Sequence, residues 1–358
     1  MAQAPIFVVG PPRSGTTLVA GILENHPDIY APAPGETYFF EDVWSRNREL
    51  GKLETTQEVS AAVERVMTLF GRYDNPNMQA VVDQSIDPEA LLERTRLYLD
   101  QGSTSSGYAA LYTAFTTLLA ENAGKKRFCD DTPKHLFHLH AIFDMLPEEF
   151  TGSQTKAIAC VRDVRDFLCS YRNWWKKSIA GPRLKSLYHP IVTSLLWNSS
   201  VNLIQEHAQK CCKERVLVLQ YEALVRQPVS EVKRISEFLD LGLSDDVISS
   251  WIDQLQTHNS SFDSTDVYTG SATGIFSTSI DHWQEHLSQE EIWWAQRLSK
   301  RNMKAFSYPI AEIHPSFQSV LSILASFPSA MIKAIRFARR GPLVQYAERR
   351  ISALLDKG

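Results

Sequence analysis

Eight consecutive residues, Gly10–Thr17 (G-P-P-R-S-G-T-T), combine two glycines, a basic side chain and several hydroxyls. Four residues separate the two glycines and two threonines follow, which is the spacing of a Walker A phosphate loop with Thr16 in place of the lysine. Gly15 lets the backbone approach a ligand, and Arg13 supplies positive charge. Further donors are the hydroxyls of Ser14, Thr16 and Thr17 and the first N–H groups of the helix that follows. We therefore predict an anion-binding loop.

The missing lysine limits which anion this loop serves. Enzymes that hydrolyse ATP or GTP use that lysine on the β- and γ-phosphates and an aspartate for magnesium. A loop without it favours an anion that is less charged or that needs no metal.

A second candidate anion contact lies in the segment V-R-D-V-R-D-F-L-C-S-Y, residues 161–171. Arg162 ends a predicted buried strand, and ligands of open α/β sheets dock at the carboxyl ends of strands. Ser170 lies eight residues later, about two helical turns along the next helix. The guanidinium fork matches a phosphate, and a serine hydroxyl can share the same group.

Short apolar runs alternate with helical patterns along the chain. The predicted strands are 5–10, 127–130, 155–161 and 215–219. The predicted helices are 15–25, 53–70, 88–100, 108–121, 135–146, 164–178, 190–211 and 229–239. This alternation is typical of an α/β fold, here a P-loop-like central parallel sheet flanked by helices. We place this domain at residues 1–309 and a C-terminal helical, basic amphipathic extension at 310–358.

Composition limits the classes of partner. The 358 residues include 37 Lys+Arg and 41 Asp+Glu, a net charge of −4, which argues against nucleic-acid binding. The five cysteines form no C-x-x-C pair, so we expect reduced core thiols rather than a zinc site. His135, His138 and His140 cannot all share one helix face, and we expect no metal.

The chain shows no pattern of a signal peptide or of a membrane-spanning helix. Two long stretches lack charged residues, but 101–120 is rich in Ser and Thr and 314–332 is broken by Pro328. We therefore expect a cytoplasmic protein.

Three segments, P-P-R-S-G-T-T-L, H-P-D-I and R-D-V-R-D-F-L-C-S-Y, resemble the nucleotide-binding motifs of sulfotransferases. Those enzymes use 3′-phosphoadenosine-5′-phosphosulfate (PAPS) and no metal. The resemblance is strongest to the tyrosylprotein and bacterial branch and runs over residues 5–308. It implies that Arg13–Thr17 bind the 5′-phosphosulfate and that Arg162 and Ser170 bind the 3′-phosphate.

The same resemblance implies further nucleotide contacts. Tyr221, in Q-Y-E-A-L-V, stands at a position that contacts the nucleotide in the family. The Gly/Ser/Thr-rich stretch 270–279, before His282-Trp283, resembles the loop that closes over the nucleotide.

Sulfuryl transfer to a hydroxyl needs a base for the acceptor proton and donors for charge that grows on the bridging oxygen. The resemblance implies that Glu36, in an E-T pair, is the base, and His135 is the alternative because cytosolic and bacterial relatives use a histidine. Many relatives carry a D-K-T-P sequence whose lysine assists the departing oxygen. Here Asp131 stands at that position, so either Lys134 takes over the role or Arg13 acts alone.

We therefore predict a PAPS-dependent sulfotransferase that yields a sulfate ester and adenosine 3′,5′-bisphosphate. The expected acceptor is a hydroxyl of a glycan, a glycolipid or a small molecule, and a protein tyrosine is the alternative. Two other classes stay open, a P-loop small-molecule kinase and a non-catalytic nucleotide-binding protein.

The C-terminal extension interleaves basic and apolar residues. Its basic residues include Lys333, Arg336, Arg339 and Arg340. Such an element packs on the core, packs on another subunit as in a homodimer, or makes peripheral contact with the inner membrane surface.

Overall fold

The computed structural model describes residues 3–32, 36–70, 86–101, 106–146, 154–173, 187–211, 213–255, 274–275 and 280–338. Within this part of the chain, five strands form one parallel sheet in the order β2-β3-β1-β4-β5. The strands are β1 (Ile6–Val9), β2 (Ile29–Tyr30), β3 (Arg127–Asp130), β4 (Lys156–Val161) and β5 (Val216–Gln220). The predicted α/β class with a central parallel sheet is confirmed.

Helices account for most of the remaining described residues. From the first strand to the third, the helices are α1 (Thr16–Glu24), α2 (Phe39–Asp42), α3 (Asn47–Leu50), α4 (Thr56–Phe70), α5 (Pro88–Asp100) and α6 (Gly107–Asn122). Between β3 and the end of β5 lie α7 (Leu139–Met145), α8 (Val164–Asn173) and α9 (Pro190–Glu206). After β5 come α10 (Tyr221–Arg226), α11 (Pro228–Leu239), α12 (Asp245–Gln254), α13 (Trp283–His286), α14 (Gln289–Ala305) and α15 (Phe317–Ala338).

The alternating side chains of β1 divide the core into two layers. Phe7 and Val9 pack into a cluster built with α6, α8, α9 and α14. Ile6 and Val8 point to the opposite face of the sheet and pack with α1, α11 and α12. Because both faces are covered, the central strands are apolar on both sides, and this explains their continuous hydrophobic runs.

Some element boundaries differ from the predicted ones. The predicted helix 135–146 begins earlier, as a 3₁₀ turn over Pro133–His138, because proline is favoured in the first turn of a helix. The predicted helix 190–211 ends at Glu206, and a π-helical turn over His207–Cys211 follows it. The predicted helix 164–178 is described to Asn173, and its last residues lie outside the described part. The predicted loop 270–279 lies outside it too, except for residues 274 and 275.

Three of the five cysteines are free and buried, as predicted: Cys129, Cys160 and Cys169. Burial raises the pKa of each of these thiols, so they remain protonated and inert near neutral pH.

The parallel arrangement brings the carboxyl ends of the strands to one edge of the sheet. The Gly10–Thr17 loop leaves β1 at this edge, and Arg162 follows β4. Tyr221 follows β5, whose last residue Gln220 is paired with Val161. Side chains far apart in sequence thus meet at the edge where open α/β sheets bind ligands.

Candidate active site

The loop between β1 and α1 has a backbone that only glycine supports at its two key positions. Gly10 has φ 149°, and a Cβ there would lie 2.4 Å from the Cys160 carbonyl oxygen of β4. Gly15 has φ 97°, and a Cβ there would lie 2.5 Å from the Tyr221 ring. The two glycines let the loop pack directly against β4 and Tyr221.

The same loop presents donors that its own fold leaves unused. Gly15 precedes α1 and makes no side-chain capping bond, so this N-cap offers no side-chain acceptor to the first N–H groups of the helix. Ser14 is fully buried, and its Oγ has no hydrogen-bond partner among the described residues. A buried hydroxyl without a partner is costly, and an anion seated in the loop would satisfy it. This supports the predicted anion-binding loop.

Four predicted phosphate- and nucleotide-contacting residues converge at the loop, although they come from three separate segments of the chain: Arg13, Arg162, Ser170 and Tyr221. Arg13 Nε donates to Ser170 Oγ at 3.2 Å. Arg162 Nη1 donates to the Arg13 carbonyl oxygen at 3.3 Å, and its guanidinium lies over the Tyr221 ring, 4.5 Å from the ring centroid. The predicted phosphate-binding residues therefore form one basic cluster.

Buried polar contacts fix the backbone that carries Arg162. Trp197 Nε1 donates to the Arg162 carbonyl oxygen at 2.8 Å. The next residue, Asp163, donates its N–H to Glu222 Oε1 at 2.9 Å and accepts from Arg165 Nη2 at 2.6 Å. Arg165 is 1% exposed, so this ion pair is structural, a role that the sequence pattern did not reveal.

Asp166 ties the segment before α13 to this side of the site. Its carboxylate accepts from the N–H of Asp281 at 2.8 Å and from the N–H of Trp283 at 3.1 Å. Burial raises the pKa of Asp166 to about 6, while the Arg162 charge acts in the opposite direction. His282, between the two donors, has its pKa lowered by burial and by the neighbouring charges of His286 and Arg162. The residues after the predicted closing loop are thus held near Arg162.

Glu36 lies on the β3 side of the loop, partly buried. Burial raises its pKa, an effect that the Tyr38 hydroxyl bond and the charges of Lys134 and Arg13 partly offset. Lys134 Nζ lies over the Tyr38 ring, 5.7 Å from its centroid. The charges of Lys134 and Arg13 therefore both act on Glu36, and the predicted base lies within their electrostatic reach.

His135 is fully buried between two carboxylates. Its Nδ1 is 2.9 Å from Glu41 Oε2, and its Nε2 is 3.1 Å from Asp130 Oδ2. Burial alone would lower the pKa of His135, but the charges of Glu41 and Asp130 outweigh it and raise the pKa to about 10. The ring is therefore an imidazolium with both N–H groups donated, which leaves no lone pair to accept a proton.

The Asp130 carboxylate gathers hydroxyl donors from three segments of the chain. Thr37 Oγ1 donates to Oδ2 at 2.6 Å, and Tyr112 OH donates to the same oxygen at 2.8 Å. Thr132 Oγ1 donates to Oδ1 at 2.6 Å. The same hydroxyl oxygen accepts a hydrogen bond from the Tyr38 N–H at 3.3 Å. Burial raises the pKa of Asp130, but the His135 charge and these hydrogen bonds hold it below its ordinary value. Since Thr37 and Tyr38 follow Glu36, the network fixes the backbone that carries the predicted base.

The three histidines of the 135–140 run do not all converge. His135 and buried His138 both lie at the Glu41 carboxylate, with His138 Nε2 3.9 Å from Glu41 Oε1, whereas exposed His140 points elsewhere and pairs with Asp144 at 2.8 Å. Within the described residues, no group of three or more His, Cys, Asp or Glu side chains is arranged to hold a metal ion.

Glu41 is the main site residue that the sequence analysis missed. It lies on the short helix α2, and its carboxylate is one of the two that hold His135. The available signal was an acidic residue after two aromatic ones in F-F-E-D, which begins one residue after the E-T pair. A charged residue among buried aromatic residues needs a partner of opposite charge.

A family model described as "Sulfotransferase family" matches residues 5–245 of the chain. Among curated proteins, the chain is 24% identical to Sulfotransferase 6B1 of Danio rerio over 165 residues, which are 44% of this chain and 55% of that protein. It is 25% identical to nodulation protein NoeE of Sinorhizobium fredii over 243 residues, 64% of this chain and 48% of that protein. It is 23% identical to protein-tyrosine sulfotransferase of Drosophila melanogaster, over 68% of this chain and 39% of that protein. The aligned region thus spans about half the length of these curated relatives.

Among solved structures, the chain resembles the sulfotransferase domain of the Synechococcus PCC 7002 olefin synthase. The TM-score is 0.49 at 19% identity, and the match covers 87% of this chain and 98% of that one.

Proposed function

The chain belongs to the sulfotransferase family, and we propose that it transfers the sulfuryl group of PAPS to an acceptor hydroxyl. The observation that carries this proposal is the basic cluster beside a phosphate loop that lacks the Walker lysine. Arg13 and Arg162, 149 residues apart, lie in contact there with Ser170 and Tyr221. PAPS offers two separate phosphate groups and an adenine, and this cluster offers a separate set of donors for each phosphate.

The residues present fit this co-substrate. The loop N–H groups, Ser14 Oγ and Arg13 would hold the 5′-phosphosulfate, and the buried Ser14 hydroxyl then gains a partner. Arg162 and Ser170 would hold the 3′-phosphate, since a serine hydroxyl can accept from Arg13 and donate to a phosphate oxygen at once. Tyr221, already stacked with Arg162, supplies an aromatic surface beside the nucleotide.

Glu36 is the proposed general base. Its burial raises its pKa, which brings a carboxylate closer to the range where it accepts a proton well near neutral pH. In the reaction, a new S–O bond to the acceptor oxygen forms while the bond between sulfur and the bridging phosphate oxygen breaks. The acceptor proton passes to Glu36, and the electron pair stays on the adenosine 3′,5′-bisphosphate. Arg13 and Lys134 stabilise that growing negative charge.

His135 has a positioning role in this proposal rather than that of the base. Its two N–H groups are both donated to buried carboxylates, and its charge offsets theirs. It holds Asp130, and Asp130 holds Thr37, the neighbour of Glu36.

We propose a glycan, glycolipid or small-molecule hydroxyl as the acceptor. Protein tyrosine is the alternative, because protein-tyrosine sulfotransferases are among the relatives that match.

The test is transfer of labelled sulfate from PAPS to a panel of glycan, lipid-linked, phenolic and tyrosine-peptide acceptors. We expect label in at least one hydroxyl acceptor and a loss of transfer in Glu36→Gln, with Glu49→Gln as the control on an exposed helix. Transfer of the γ-phosphoryl group from ATP with magnesium, and none from PAPS, would contradict the proposal and favour a kinase. Nucleotide binding with no transfer to any acceptor would favour a non-catalytic protein.

A further inference from the structure

Helix α15 carries an apolar stripe on its solvent side. Phe317 is 78% exposed, the largest exposure among the large apolar residues of the described structure. Four more apolar residues of this helix are 44–51% exposed: Leu321, Leu324, Ile332 and Ile335. At 100° per residue, these five side chains fall within an arc of about 80°, and the stripe is about 27 Å long. We call these five residues the outer stripe.

The other side of α15 is attached to the body of the protein. Trp294 Nε1 donates to the Val320 carbonyl oxygen at 3.3 Å. His189 Nε2 lies 3.2 Å from the Ile323 carbonyl oxygen and 3.1 Å from Ser326 Oγ. An amphipathic helix of a globular protein normally turns its apolar stripe to the core, so the outward direction of this stripe points to a partner.

All the charged residues of this segment are basic. Residues 317–340 contain Lys333, Arg336, Arg339 and Arg340 and neither Asp nor Glu, a charge of +4 in a chain whose net charge is −4. Lys333 and Arg336 are both exposed on α15. An apolar stripe next to basic residues is the pattern of a helix that lies in the interface of an anionic membrane. A second copy of α15 would offer the same positive charge and no acidic residue to pair with it.

We propose that α15 lies flat on an anionic lipid bilayer, with the outer stripe in the boundary between headgroups and acyl chains. At 100° per residue, Arg336 flanks the outer stripe about 40° beyond its edge and then reaches the lipid phosphates, while exposed Lys333, farther round the helix, adds to the attraction of the anionic surface. The expectation that Pro328 breaks this stretch was wrong, because α15 continues through Pro328 from Phe317 to Ala338. Within the described residues, Phe317–Arg336 is the one helix long and apolar enough to cross a membrane by length and composition. The hydrogen bonds of Trp294 and His189 hold its middle against α14 and α9, and this arrangement favours a helix that lies on the bilayer.

The test is co-sedimentation of the full chain with vesicles of phosphatidylcholine alone or with phosphatidylglycerol added. We expect binding to the anionic vesicles that weakens with salt, and little binding to the neutral ones. Leu321→Gln/Leu324→Gln should lower the partition coefficient at least about tenfold. Lys333→Gln/Arg336→Gln should lower it about tenfold or more at low salt.

The control is Leu97→Gln/Val247→Gln, which changes two equally exposed apolar residues on other helices and should leave vesicle binding intact. All of these side chains are exposed, so each variant should keep the melting temperature of the parent chain. This binding is measured without turnover, and its failure would leave the proposed sulfuryl transfer untouched.

Three results would overturn the proposal. The first is that the full chain binds neither kind of vesicle, or that Leu97→Gln/Val247→Gln weakens vesicle binding as much as Leu321→Gln/Leu324→Gln does. The second is retention in the membrane after alkaline carbonate extraction, which would indicate a spanning helix. The third is a dimer in sedimentation velocity that forms without lipid and is lost in Leu321→Gln/Leu324→Gln, which would assign the outer stripe to a second copy.

Discussion

At the scale of single residues, the site places two opposite charge environments side by side. On the loop side, Arg13 and Arg162 are in contact through a backbone carbonyl. On the β3 side, Asp130 and Glu41 enclose the His135 imidazolium. Glu36 lies between the two, influenced by Arg13 and Lys134 on one side and by Asp130 on the other. The pKa of Glu36 therefore depends on the charges on both sides of it.

The first prediction concerns the pH dependence of transfer. Because Glu36 must be deprotonated to act as a base and its pKa is raised above 4.5, kcat/KM should fall as the pH drops through that raised pKa. Glu36→Gln should lower kcat/KM by roughly 10²–10⁴-fold and abolish this acid limb. Lys134→Met should shift the limb to higher pH, because it removes a charge that lowers the pKa of Glu36. An acid limb that persists in Glu36→Gln would exclude Glu36 as the base.

The second prediction concerns stability and His135. Its folded pKa of about 10 lies above the ordinary 6.5, so its stabilising contribution is complete below about pH 6.5 and is lost as the pH rises through 10. The free energy of unfolding from urea titrations should fall over this range. His135→Gln removes the charge between two buried carboxylates and should cost about 3–5 kcal/mol near neutral pH.

His140→Gln is the matched control for that experiment, because His140 is exposed and pairs with an exposed aspartate. It should keep the decline in stability that the parent chain shows above pH 6.5. If the parent chain itself shows no decline between about pH 6.5 and 10, the imidazolium assignment is wrong, whether or not His135→Gln folds.

At the scale of elements, the site depends on close contact between loops that leave neighbouring strands. Gly10 N–H donates to the Pro133 carbonyl oxygen at 3.2 Å, so the β1 loop is tied directly to the segment after β3. Gly15 lies against Tyr221, the first residue of α10. The position of the anion loop is thus set by the elements that follow β3, β4 and β5.

The third prediction tests this packing at Gly15. Gly15→Ala introduces a Cβ 2.5 Å from the Tyr221 ring at φ 97°, so it should lose both stability and affinity for adenosine 3′,5′-bisphosphate. Gly124→Ala is the control, with φ 70° and nothing within 4 Å of the added Cβ, and it should cost only the backbone strain of about 1 kcal/mol. In a Tyr221→Ala background, Gly15→Ala should cost about 0.5–3 kcal/mol less, as measured by a double-mutant cycle. Equal losses in Gly15→Ala and Gly124→Ala would contradict the account.

Whether an element could be predicted from the sequence depended on its length and on the strength of its apolar pattern. The buried strands and the helix 88–100 carry strong patterns, and they appear as β1, β3, β4 and β5 and as α5. β2 has two residues, Ile29 and Tyr30, too few for any periodicity to show. Helix α14 begins with a capping box at Ser288 and Glu291, so the start of this helix has a local signal in the sequence.

The candidate site was predictable where a local motif existed. The contact of Arg13 with Ser170 and of Arg162 with Tyr221 agrees with the juxtaposition expected from the motifs. The environment of His135 could not be predicted, because it depends on Glu41, 94 residues away in the sequence. Together with Asp130, which precedes His135 by five residues, Glu41 raises the pKa of His135 to about 10 and favours its charged form.

At the scale of the whole molecule, charge is distributed unevenly. The chain carries a net charge of −4, yet residues 317–340 contain four basic residues and neither Asp nor Glu. Sequence alone shows that 317–338 is amphipathic but not which way its apolar stripe points, because that depends on which side of the helix contacts α9 and α14. The outward stripe is therefore a property of the folded molecule.

The most direct test of the central claim is a thermal-shift titration with adenosine 3′,5′-bisphosphate and, separately, with ATP plus magnesium. At a hundred times its dissociation constant, a ligand of the folded state stabilises it by about 2.7 kcal/mol. We predict this stabilisation with the bisphosphate, its loss in Arg162→Ala, and its retention in Arg48→Ala, which changes an exposed arginine. Stabilisation by ATP with magnesium and none by the bisphosphate would contradict the account.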